Sequence, residues 1–260
     1  IVNKYFGPVF NAAVSLGNSV AGHCTTLSSS VSGAFYPLIV NKTGEGAFDE
    51  VRVLGLRASR LSSVMILLFA IPLSLEIREV LKLWLVQPPA FVAEICVAIL
   101  VKLSIEATSD GYWMSILSRG KSIVKYSMTV CWAGFVLMGS VWLAFALGFG
   151  MLSICVGFLL HAVWLVGWRI YWGGRLCGVG MRMWFGKVFS PLLIICLLTC
   201  SLGFSVRFIM EASFLRVIMT TLICEVFFMP AVYFLVLDSD ERRYLNGRIS
   251  AVMAKRGIDR

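Results

Sequence analysis

Seven apolar stretches, each long enough to cross a bilayer, are separated by segments that alternate between Lys/Arg-rich and nearly Lys/Arg-free. Crossing a hydrocarbon core about 30 Å thick at about 1.5 Å per residue takes roughly 20 mostly apolar residues, with every backbone polar group bonded inside the segment. Residues 8–40, 61–85, 90–118, 123–147, 151–172, 191–210 and 214–237 meet that length. The expected fold class is an all-α, polytopic transmembrane helix bundle of about seven spans. With 59% hydrophobic and 14% charged residues, the composition excludes an ordinary water-soluble domain.

The cations report topology. Lys42, Arg52, Arg57 and Arg60 mark a linker whose residues 41–46 are expected to turn into an amphipathic segment before the second span, and Arg119, Lys121 and Lys125 mark the loop before the fourth. Arg169, Arg175, Arg182 and Lys187, interleaved with Trp172, Trp184, Phe185 and Phe189, read as a segment lying on the inner leaflet. Arg242, Arg243, Arg248, Lys255, Arg256 and Arg260 follow the last span. The positive-inside rule places all four groups, and the C-terminus, in the cytoplasm, with Ile1 on the far side. The net charge of +9 is then a topology signal that also meets anionic lipid, and no nucleic-acid partner is expected. Because the chain opens at Ile1 without a basic leader or cleavage site, it is expected to begin partway through a longer protein.

The first span is polar along one side. At 100° per residue, Asn11, Ser15, Asn18, Gly22, Thr26, Ser29, Gly33 and Tyr36 share a stripe, with Ser19, His23 and Ser30 beside it. Val9, Leu16, Val20, Leu27, Val31 and Phe35 lie opposite. Amides and hydroxyls are costly against lipid, so the stripe is expected to face protein or a water-filled cavity.

The third span carries Glu94, Lys102, Glu106 and Asp110. A lone ammonium near the bilayer centre costs at least about 2.5–3.5 kcal/mol, so Lys102 requires a partner. Glu106, one turn on, offers an internally neutralised pair that holds helices together; several ionisable groups on one span equally suit a substrate or ion pathway. His23 borders the polar stripe, and imidazole is the side chain whose charge changes near neutral pH, although a packing role fits it as well. His161, flanked by Leu159, Leu160, Val163 and Trp164, reads as structural. Glu76, Arg78, Glu79 and Lys82 read as a solvated cluster at the outer end of the second span, which Pro72 is expected to kink.

The eight cysteines fall mostly in apolar runs without metal-ligand spacing. No nucleophile–base arrangement or phosphate-cradling loop stands out, so neither enzymatic activity nor a cofactor or metal is expected.

The motifs FGPVFNAAVSLGNSV (residues 6–20), AFYPLIV (34–40) and IPLSLEIREVLKLWLVQPP (71–89) resemble the second half of bacterial oligosaccharide flippases in the multidrug/oligosaccharidyl-lipid/polysaccharide exporter superfamily. The resemblance is close over residues 1–125 and general in hydropathy beyond. It implies two six-helix lobes around a cavity, often followed by two extra helices, in the bacterial inner membrane. Residues 1–188 would then be second-lobe helices and residues 189–260 the terminal pair with its tail. The implied activity is alternating-access translocation of undecaprenyl-diphosphate-linked oligosaccharide, the implied partners being that lipid-linked glycan, membrane lipids and a first lobe of the same protein. The candidate pathway residues are Asn11, Ser15, Asn18, His23, Thr26, Glu94, Lys102, Glu106 and Asp110. A multidrug and toxin exporter of the same superfamily is the nearest alternative, its site expected to be rich in carboxylates and aromatics. A membrane-embedded polysaccharide polymerase is the alternative from another class, and the short turns near Pro88, Gly148 and Ala212 argue against it.

Overall fold

A computed structural model describes residues 7–85, 87–120 and 123–258. Ile1, Lys121 and Arg260, which entered the topology argument, lie outside the described residues. Within them the chain is helical throughout and contains no strand. The helices are α1 (Gly7–Gly44), α2 (Phe48–Trp84), α3 (Val92–Ala107), α4 (Asp110–Ser118), α5 (Ile123–Ala146), α6 (Ser153–Cys177), α7 (Met181–Ile209), α8 (Phe214–Leu235) and α9 (Ser239–Ile258). Four are long and apolar enough to cross a membrane: α5, α6 with its leading 3-10 turn, α7 and α8. The polar stripe of α1, the charges of α2 and the 16-residue length of α3 keep the others below that criterion.

Several boundaries depart from expectation. The turn expected over residues 41–46 falls at the end of that stretch: α1 runs on to Gly44, Gly46 turns the chain at φ +75°, and the expected amphipathic segment is the start of α2 itself, which carries Arg52, Arg57 and Arg60. The third span is broken into α3 and α4 at Thr108 and Ser109. The expected surface segment is absent as a separate element, because α6 runs through Arg169, Trp172 and Arg175 to Cys177 and α7 already begins at Met181. A π-helical stretch, Phe185–Phe189, lies inside α7 directly ahead of Pro191. Proline lacks an N–H and crowds the preceding turn, and one widened turn absorbs both defects. In α2 the non-helical backbone sits at Glu76 (φ −111°, ψ 16°), four residues beyond Pro72.

Small residues set the packing of the first helices. Gly55 on α2 and Gly111 on α4 meet backbone to backbone, and a Cβ on Gly111 would overlap the Gly55 carbonyl oxygen. Ala13, Gly17, Ala21, Cys24 and Ser28 form the buried face of α1, and a Cβ on Gly17 would stand 2.8 Å from Ile99 Cδ1 of α3. Such stripes let helices approach closely where lipid supplies no hydrophobic drive. The helices α7 and α8 pack on each other and on α2, with Ile195, Phe228 and Cys224 fully buried between them. By contrast α5 rests mainly on α6 and leaves Trp132, Phe135, Met138 and Trp142 exposed.

At the other end of α2, Arg60 is buried and donates to Asp238 and, at 3.2 Å, to Glu241 in the first turn of α9. Arg57 Nε lies 3.4 Å from the same Glu241 carboxylate. The base of α9 is thereby latched onto α2.

Two outcomes follow from this packing. Gly111→Ala should lower stability by about 1–3 kcal/mol or more through overpacking, read as an earlier thermal unfolding in detergent. Gly134→Ala, whose Cβ would meet nothing within 4 Å, should leave the transition in place. The hydrogen bond from Arg60 holds the Asp238 carboxyl below its ordinary 3.8. A depressed carboxylate adds stability above the unfolded value and loses it as pH falls through the folded one. Protection factors of the α9 amides, each taken against the intrinsic exchange rate at the same pH, should therefore hold at neutral pH and fall only below about pH 4.

Candidate functional site

Two polar features occupy different parts of the bundle. The first is the flank of α1. Asn11, Ser15, Asn18, Gly22, Thr26, Ser29, Gly33 and Tyr36 are all exposed, as are Ser19, His23 and Ser30. The small-residue face buries against α2, α3 and α4 and turns the polar flank away from the rest of the chain. Most hydroxyls on this flank bond back onto their own helix: Ser19 to Ser15 O at 3.1 Å, Thr26 to Gly22 O at 3.0 Å and Ser29 to Thr26 O at 2.7 Å. Helical hydroxyls satisfied in this way tolerate lipid. The carboxamides of Asn11 and Asn18 have no such outlet, since neither makes a hydrogen bond within the described residues. They decide the character of the flank, because an unsatisfied amide in hydrocarbon costs several kcal/mol.

The second feature is a charge network on α3, α4 and α6. Lys102 Nζ lies 2.9 Å from Glu106 Oε2, and the other Glu106 oxygen faces His161 Nδ1 at 3.2 Å. One turn on, Arg169 NH1 reaches Asp110 Oδ1 at 3.3 Å, Ser109 Oγ at 3.2 Å and the Glu106 carbonyl at 3.3 Å. Ser28, buried on α1, stands beside Asp110. All five side chains of the network are at least three-quarters buried, 13–23% exposed.

The network also closes the break between α3 and α4. Thr108 Oγ1 donates to Ile105 O, Ser109 Oγ to Glu106 O, and the Trp184 indole N–H from α7 donates to Thr108 O at 3.0 Å. The backbone groups freed by the break are thus satisfied by its own two hydroxyls and by donors from α6 and α7.

The candidate residues thus divide. Asn11, Ser15, Asn18 and Thr26 share the α1 flank; Lys102, Glu106 and Asp110 join the network; His23 sits on the rim between the flank and a groove beside α2 and α8. Glu94 joins neither, pairing instead with Arg78 at 2.8 Å. His161, expected to be structural on its apolar neighbours, faces Glu106, and Arg169, expected at the membrane surface, is an interhelical partner. Flanking residues define only the local sequence environment; a histidine's partner comes from the helix packed against it.

Glu76 is a further correction. It is 1% exposed rather than solvated, its Oε2 accepting from Arg216 NH2 at 2.8 Å and Nε at 3.2 Å, its Oε1 from Thr220 at 3.2 Å. The pull of this pair coincides with the non-helical backbone at Glu76. Sequence reasoning also passed over Glu225, the one acid inside α8, at the twelfth of its 22 positions. An acid alone in an apolar run was signal enough to find it.

Among the described residues no group of three or more His, Cys, Asp or Glu side chains is arranged to hold a metal ion. Comparison with protein-family models, curated proteins and solved structures finds no match for the chain.

Truncating Arg216 leaves the Glu76 carboxylate buried without its cation. Arg216→Met should cost about 3–5 kcal/mol of stability, and adding Glu76→Gln should restore much of it. Denaturation of the two variants in the same detergent gives the comparison.

Proposed function

We propose that this chain is one lobe of a secondary transporter that carries undecaprenyl-diphosphate-linked oligosaccharide across the bacterial inner membrane. In this reading α1, α2 and the α3–α4 pair cross the bilayer together with α5–α8, giving seven crossings and a cytoplasmic α9. At about 1.5 Å per residue α1 is roughly 57 Å long, more than the hydrocarbon core demands.

The observation that carries the reading is the exposed flank of α1. A membrane helix that buries its small face and presents the amides of Asn11 and Asn18 away from its own bundle needs water or a second lobe against that flank. A lipid-linked sugar has a polar head that hydrocarbon rejects and a polyprenyl tail that it accepts. Only the head needs shelter. Amides and the free lone pairs of the Ser and Thr hydroxyls suit sugar hydroxyls, and rocking against a partner lobe would open the hollow to each side in turn.

Lys102 supplies the cation in this scheme. Its ammonium is held by Glu106, which His161 also engages, so a diphosphate arriving beside Lys102 would compete with the Glu106 carboxylate for the ammonium rather than meet a bare charge. Asp110 and Arg169 brace the helix break from which that cluster projects. The resemblance of residues 1–125 to oligosaccharide flippases supports the same substrate class.

Two measurements test the reading. Lys102→Ala, as the sole copy in its cell, should abolish surface glycan while the protein's level in the membrane stays unchanged; normal surface glycan removes Lys102 from the mechanism. With the eight native cysteines replaced, Asn18→Cys and Thr26→Cys should react with a membrane-impermeant thiol reagent. Protection of both from aqueous reagent, with reaction only toward lipid-soluble ones, would overturn the cavity reading.

A further inference from the structure

A groove of about 670 Å³ runs between α1, α2 and α8, on the side of α1 away from the polar flank. Its walls are mostly apolar, with Val20 and Leu27 from α1, Phe69 and Trp84 from α2 and Val217 from α8. Besides the Cys24 thiol, two ionisable side chains open into it, Glu225 from α8 and His23 from the rim of α1. Among the described residues no Lys or Arg lines it.

Glu225 is the unusual member. It sits at the middle of an apolar helix that crosses the membrane by length and composition, and within the described residues it makes neither an ion pair nor a hydrogen bond. Every other acid of α2, α3 and α4 that lies in the bundle is engaged: Glu76 by Arg216, Glu94 by Arg78, Glu106 by Lys102 and Asp110 by Arg169. Acids inside spans are expensive and pair with something, so the missing cation is the feature to explain.

We propose that the groove binds a monovalent organic cation with an apolar body, its charge against Glu225 and its hydrocarbon between Phe69, Trp84 and the Val and Leu side chains. A volume in the range of small-molecule sites, apolar walls and one acceptor of negative charge fit such a ligand. Aromatic faces at Phe69 and Trp84 add attraction for a cation. A small metal cation fits poorly, because Glu225 and Thr221 supply too few oxygens to replace its water. An amine-headed phospholipid fits poorly too: its headgroup stays at the interface, whereas Glu225 lies about 17 Å along a helix of about 33 Å. His23 offers a ring nitrogen for a hydrogen bond at the rim. The groove and the polar flank occupy different sides of α1, so this site stands independently of the glycan reading.

The probe is tetraphenylphosphonium, with tetraphenylborate as its anionic counterpart of matching shape, titrated into the purified full chain in detergent. Saturable binding of the cation and none of the anion is expected. Glu225→Gln, nearly isosteric, should weaken cation binding at least about tenfold, an amount that a partly screened charge pair exceeds. Val217→Trp, which fills the groove without touching its charge, should weaken it as well, and Gly134→Ala, on α5 and outside the groove, should leave it unchanged. Each variant is compared as a monodisperse species with the parent's unfolding temperature. The site is overturned if the parent shows no saturable uptake of the cation, if tetraphenylborate binds equally, or if Glu225→Gln binds as the parent does.

Discussion

Arg169 holds the centre of this bundle together. A single guanidinium nitrogen on α6 meets a carboxylate, a hydroxyl and a carbonyl at the point where the third span breaks into α3 and α4. Without it, Asp110 would be a buried charge with no cation and the Glu106 carbonyl would lose a donor. A buried pair gains little over a well-packed apolar contact, yet breaking one strands a charge, which is why such networks define arrangement more than they add stability. Here the network fixes how α6 sits against α3 and α4, and it leaves Lys102 and His161 gathered on one Glu106 carboxylate.

The second determinant is the absence of side chains. Gly55 against Gly111 and Gly17 against Ile99 bring α2, α3, α4 and α1 close enough to interlock. That contact chooses which side of α1 is buried. Once Ala13, Gly17, Ala21 and Cys24 face inward, Asn11 and Asn18 must face outward, and His23 is left at the edge of the groove against α8. The polar flank, the charge network and the Glu225 groove are thus consequences of the same helix packing, reached from three sides.

Much of the architecture was legible in the residues. Length and apolarity located α5 to within a residue and placed α8 to within two at its end, because an uninterrupted apolar run bounded by glycine or polar turns has little choice in lipid. The stripe on α1 was legible from a 100° projection. The boundaries at Gly44 and Cys177 were not, since basic residues near a helix end look alike whether they leave the helix or ride on it. The broken third span escaped for a related reason: Thr108 and Ser109 carry no helix-breaking residue, and the break persists because Arg169 and Trp184, distant in sequence, bond the backbone it frees.

By itself the order of residues determined the helical, membrane-type class, the 100° segregation of polar from apolar positions on α1, and the need for every buried acid to find a cation. Those are local properties, set by hydrophobic length, backbone hydrogen bonding and the cost of charge in hydrocarbon. Only the tertiary structure decided which cation each acid found: Arg216 for Glu76, Arg78 for Glu94, Arg169 for Asp110, and none for Glu225. Electrostatic pairing acts across a few ångströms of space, and residues separated by 140 positions along the chain reach that range only after the helices have docked.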